Sequence, residues 1–81
     1  MDREVRVEYF AVLREQRGCA AETVTTAART PAELYDQLRA RHHLDMPRGH
    51  LLVGVNGEYA EWDQSLEGGD TVAFLPPVAG G

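Results

Sequence analysis

Thr30-Pro31-Ala32-Glu33 packs three helix-start signals into four residues, and it fixes where the one long helix of this chain begins. A hydroxyl at the N-cap accepts from the backbone of the third helical residue. Proline at the first helical position has no N–H to leave unpaired, and glutamate at the third reaches back toward the cap. Ala32, Leu34, Tyr35, Leu38 and Leu44 then follow at mixed i, i+3 and i+4 spacings. Glu33, Asp36, Gln37, Arg39 and Arg41 supply a wet face. The pattern predicts a helix with one apolar side, ending near His42 or His43, ahead of Pro47 and Gly49.

The segments on either side read as strands. Val5, Val7 and Tyr9 alternate with Arg6, Glu8 and Phe10, which predicts a first strand over about residues 3–11 with one face inward. Gly18 marks a polar bend, and the β-branched run Thr23-Val24-Thr25-Thr26 gives a second strand in hairpin with the first. Beyond the helix, Leu51-Leu52-Val53-Gly54-Val55 runs into Asn56-Gly57, the pair preferred in a two-residue type I′ turn. A short fourth strand follows at about 58–60. Leu66-Glu67-Gly68-Gly69-Asp70 is a further turn, leading into Thr71-Val72-Ala73-Phe74-Leu75. The expected fold is α+β: one helix on one face of a mixed sheet.

With 81 residues the chain holds one domain, over residues 1–75, and its core leaves no room for a deep internal active site. Thirteen acids against eight bases give a net charge of −5, which disfavours phosphate backbones and anionic membranes, so neither nucleic acid nor membrane is expected as a partner. No apolar run approaches the roughly 18 residues of a spanning helix, and the acidic N-terminus does not resemble a signal peptide; a cytoplasmic location is expected. A lone cysteine, Cys19, excludes an intrachain disulfide and a Cys-rich metal site. His42 and His43 are adjacent on a helix and so point about 100° apart. With His50 they read as solvated, and no metal site is expected. Trp62 reads as a packing residue under a loop. There is no Ser-His-Asp set and no phosphate-binding loop with lysine, so catalysis by the chain alone is not expected.

The last six residues carry the functional signal. The final strand runs directly into Pro76-Pro77-Val78-Ala79-Gly80-Gly81. The two prolines fix φ and lack N–H groups, so residues 76–81 are expected to leave the sheet as an extended arm reaching roughly 20 Å. Gly80 and Gly81 give its tip the smallest cross-section a peptide can have. The tip then offers one reactive group, an α-carboxylate that is ionised and inert at neutral pH until activated, most simply as a mixed anhydride with a nucleotide phosphate. All eight Lys or Arg positions are arginine; with no lysine, a second copy has no side-chain amine that could attack an activated tip.

At these residues the chain resembles the small subunits of molybdopterin synthase, sulfur carriers of the ubiquitin-like β-grasp group. The resemblance spans nearly the whole chain and rests on Tyr9-Phe10-Ala11, Leu13-Arg14-Glu15, Val55-Asn56, Trp62-Asp63 and above all the run from Gly69 through Gly81. It implies that Gly81, with Gly80 behind it, is adenylated by a ubiquitin-activating-like adenylyltransferase using ATP and then thiocarboxylated with sulfur from a donor enzyme. It further implies that the tail enters the large subunit of molybdopterin synthase, in a heterotetramer of two small and two large subunits, and gives sulfur to cyclic pyranopterin monophosphate. The chain itself would bind no cofactor.

Alternation along the strands sends Val72 and Phe74 inward and Ala73 and Leu75 outward, and leaves Phe10 outward at its strand end. Phe10, Tyr59 and Leu75 are therefore expected to form an apolar docking patch at the root of the arm, continued by Pro76, Pro77, Val78 and Ala79. Three alternatives stay open on the residues: a thiocarboxylate carrier for another acceptor (thiamine thiazole, cysteine or tRNA thiolation), a protein modifier joined to target lysines, and a non-covalent β-grasp adaptor.

Overall fold

Five strands and two helices alternate as β1 (Arg3–Tyr9), α1 (Ala11–Arg17), β2 (Ala21–Thr26), α2 (Pro31–His42), β3 (Leu52–Val55), β4 (Glu58–Ala60) and β5 (Thr71–Leu75), with a 3₁₀ turn at Arg48–His50 before β3. They come from a computed structural model that describes residues 2–77. The sheet order is β2-β1-β5-β3-β4. β1 and β5 are parallel, and every other pair is antiparallel. This is the expected α+β arrangement of the ubiquitin-like β-grasp, a mixed sheet crossed by one main helix.

α2 begins as its sequence dictates. Thr30 Oγ1 accepts from the Glu33 N–H at 3.2 Å, and the Glu33 carboxylate accepts from the Arg29 N–H at 2.9 Å, one residue before the cap. It ends after His42, where His43 turns left-handed and its N–H bonds the Arg39 carbonyl. Leu34, Tyr35 and Leu38 are buried, and their face meets the inward side of the sheet: Val5, Val7, Tyr9, Val53, Val55, Val72 and Phe74. Trp62 is half-buried on this core, stacked on Phe74 (centroids 6.0 Å apart) and tilted against Tyr35. Asn56 and Gly57 both take positive φ, as a type I′ turn requires.

One element departs from the sequence reading. β1 stops at Tyr9, not at residue 11, and the expected polar bend is the helix α1. Its residues are good helix formers, and Leu13 is its single buried anchor. Seven residues make fewer than two turns, too few to show a periodicity. Its N-cap is Phe10, which offers no side-chain acceptor, and its first residue, Ala11, has φ +51°. Only its end is marked: Gly18 at φ 82° donates its N–H to the Arg14 carbonyl at 2.9 Å. Among the described residues no helix is long and apolar enough to cross a membrane.

Candidate functional site

The side of the sheet away from α2 carries the exposed apolar residues. On β5, Val72 and Phe74 enter the core while Ala73 and Leu75 face outward, and the β3–β5 register sets Leu75 opposite Leu52. Leu52 is 57% exposed, Tyr59 on β4 79%, and Phe10, between β1 and α1, 42%. These side chains, with Ala11, Val12, Met46, Pro76 and Pro77, line one open groove of about 730 Å³. Three large hydrophobics exposed side by side make this an apolar patch, of the kind that marks an interaction site. The chain leaves the sheet along this groove, through Leu75-Pro76-Pro77.

Two polar clamps tie together the elements that carry the groove. At the α1 end, Arg17 grips Glu22 of β2 with two hydrogen bonds, 2.8 Å from Nε and 2.6 Å from the terminal nitrogen, and the buried Tyr9 hydroxyl donates to the same carboxylate at 2.6 Å. The Arg17 hydrogen bond holds Glu22 below its ordinary carboxylate value. Burial and the adjacent carboxylate push the Tyr9 hydroxyl well up, so it stays a donor. At the β5 end, Asn56 donates to Asp70 and accepts from the Thr71 N–H, both at 2.9 Å, while Asp70 also accepts from the Glu67 N–H. The second clamp fixes the register in which β5 enters the sheet and hence where Leu75 and the prolines emerge.

The first clamp predicts a pH dependence. Glu22 titrates lower folded than unfolded, so its contribution is whole above the ordinary glutamate value of about 4.3 and is lost as pH falls through the depressed folded value. Urea midpoints of wild type and Glu22→Gln should therefore differ at pH 7 and converge at low pH. A gap that does not narrow would show that the Arg17 pairing is not what stabilises the charge.

The structure thus brings Phe10, Tyr59, Leu75, Pro76 and Pro77 to one groove. Val78, Ala79, Gly80 and Gly81 lie outside the described residues. Leu52, Met46, Ala11 and Val12 were not anticipated. Leu52 was legible, because Val53 and Val55 point inward and so leave Leu52 with Gly54 on the outer face. The others reach the groove through α1 and the loop after α2, which no strand pattern announces. His43 caps α2, His50 lies in the 3₁₀ turn, and among the described residues no three His, Cys, Asp or Glu side chains gather as a metal site.

The family model of the ThiS family matches residues 7–81. The molybdopterin synthase sulfur carrier subunit of Escherichia coli is 38% identical over 80 residues, covering 95% of this chain and 99% of that protein. The human protein of the same name is 32% identical over 83 residues, covering 96% and 94%. Among solved structures, the H. volcanii small archaeal modifier protein 1 superposes with a TM-score of 0.78 at 27% identity, covering 94% of this chain and 99% of that one. A complex of subunits 1 and 2 of the molybdopterin-converting factor from Helicobacter pylori contains a chain that superposes at 0.66 with 26% identity, covering 96% and 99%.

Proposed function

The chain belongs to the ThiS family, and from that membership we propose that it is the sulfur carrier of a molybdopterin synthase, acting through a thiocarboxylate on Gly81. The observation that carries the proposal is near full-length likeness to carriers of that name, on a fold whose last strand runs past an exposed apolar groove into a Pro-Pro arm. The chemistry follows from the tip. A carboxylate with a pKa of about 3.3 to 3.7 is ionised at neutral pH and a poor acyl donor. Adenylation by a partner, in which the carboxylate attacks the α-phosphate of ATP and pyrophosphate leaves, makes it an acyl phosphate anhydride. Sulfide-level sulfur from a donor then attacks the carbonyl, AMP leaves, and the thiocarboxylate remains. The groove holds the body of the carrier on the large subunit while the slim tail delivers sulfur into that subunit's site. The H. pylori complex of subunits 1 and 2 supports such a pairing for this chain.

Incubating the chain with the activating enzyme, ATP and a sulfur donor, then weighing the intact protein, tests the reading. A gain equal to the mass difference between sulfur and oxygen supports it, and an unmodified chain under all conditions refutes it. The likeness to a small archaeal modifier favours one second reading, a modifier joined to target proteins, for which the same experiment in a cell extract would yield an isopeptide instead.

Docking is tested separately. Leu75→Arg and Leu52→Arg put a charge into the groove at positions that do not fill the core, so circular dichroism and melting should stay close to wild type. Binding to the large subunit should weaken more than tenfold, the factor that corresponds to about 1.4 kcal/mol. Unchanged affinity in both variants would show that the groove is not the docking surface.

A further inference from the structure

Beside the apolar groove the same face holds a second recess with a different chemistry. The strand register places Glu8 of β1, Ala73 of β5, Gly54 of β3 and Tyr59 of β4 in a single row across the sheet. The two middle members carry almost no side chain. Strands lie about 4.8 Å apart, so a trough roughly two strands wide separates the Glu8 carboxylate from the Tyr59 ring. It encloses about 310 Å³, and Thr71 and Leu75 form its ends.

Its floor is polar at one point. A Cβ on Gly54 would stand 3.3 Å from the Glu58 carbonyl oxygen and 3.9 Å from the Ala73 Cβ, so the floor beside that oxygen is kept open by glycine. The Glu8 side chain is 38% exposed, and its ion pair with the more exposed Arg6 is long, at 3.9 Å. Such a surface pair contributes little, which leaves the carboxylate available.

We propose that this recess is a socket for an arginine side chain of the protein that docks on the adjoining groove; the proposal rests on the docking reading above. The apolar stem of an arginine would cross the trough from Tyr59 over Gly54 and Ala73, which carry almost no side chain to obstruct it. Its planar fork of donors would meet the Glu8 carboxylate at the β1 wall. A lysine offers neither the plane nor the fork, and an aliphatic side chain would strip water from Glu8 without replacing its hydrogen bonds. The occupant comes from the docked partner because groove and recess share Tyr59 and Leu75, so one surface that covers the first also covers the second. The chain's net charge of −5 draws a cationic surface to it.

The test measures binding of the full chain to the large subunit. Glu8→Gln should weaken it by roughly tenfold, the loss expected for one charge-assisted hydrogen bond, and should flatten its salt dependence. Ala73→Leu, which fills the floor without altering charge, should weaken it similarly. Glu61→Gln, an exposed change outside the recess, should not. Wild-type affinity in both Glu8→Gln and Ala73→Leu overturns the socket. A second arm titrates N-acetylarginine amide into labelled chain and follows amide shifts. Gly54 and Ala73 should move in wild type and not in Glu8→Gln, and N-acetylnorleucine amide should not move them. Equal shifts with both amides, or none with arginine, overturn the proposal. If wild type fails to bind the large subunit at all, the docking reading falls, and the amide titration decides the socket by itself.

Discussion

Deleting Gly81 should abolish sulfur loading and transfer while leaving docking on the large subunit largely intact. The deletion withdraws the carboxylate by up to about 3.5 Å along an extended chain, and a misplacement of roughly 1 Å at a reacting centre can already cost a hundredfold in rate. Gly81→Val should fail for a different reason, because its branched side chain must pass wherever the tail is threaded as bare backbone. A C-terminal affinity tag should fail because the carboxylate of Gly81 becomes an amide. None of the three touches Phe10, Leu52 or Leu75, so complex formation should persist in each. Intact mass after incubation with the activating enzyme, ATP and a sulfur donor separates loading from docking, and binding measured on the same samples completes the pair. Normal product formation by a tagged or shortened chain would exclude the thiocarboxylate mechanism.

Phe74→Ala should be the most damaging change to the fold. Phe74 is fully buried on β5, between β1 and β3, with its ring 4.9 Å from that of Tyr35 and stacked at 6.0 Å on Trp62. Truncating such a side chain costs about 3–5 kcal/mol. Small domains hold only about 5–15 kcal/mol in total. At roughly 4 °C or more per kcal/mol for a domain of this size, the melting temperature should fall by about 12 °C or more. Leu52→Ala, one strand away on the opposite face, should change stability by less than about 0.5 kcal/mol. Trp62, the only tryptophan, stacks on the mutated ring and reports both transitions by its fluorescence. A Phe74→Ala melt close to wild type would mean that α2 does not depend on this aromatic cluster.

The sequence by itself determined the elements whose signals are local. The cap at Thr30-Pro31-Ala32-Glu33 located the start of α2, Asn56-Gly57 the β3–β4 turn, and alternation along β1 and β5 the inward set Val5, Val7, Tyr9, Val72 and Phe74. Each depends on residues a few positions apart, where helical or pleated geometry fixes the relation between neighbours. The resemblance, resting on the run that ends in Gly80-Gly81, made the carrier chemistry legible as an expectation, because a tail acts through its own backbone and not through a pocket assembled elsewhere. Tertiary structure alone decided the rest. α1 is too short and too poorly capped to announce itself, and it forms where Leu13 is buried and Arg17 closes on Glu22. The apolar groove draws residues 10–12 together with Met46, Leu52, Tyr59 and the 75–77 segment, and the row from Glu8 to Tyr59 crosses four strands. Such neighbours are set by strand order and register. Those are properties of the assembled sheet, in which β1 and β5, some sixty residues apart in the chain, lie side by side.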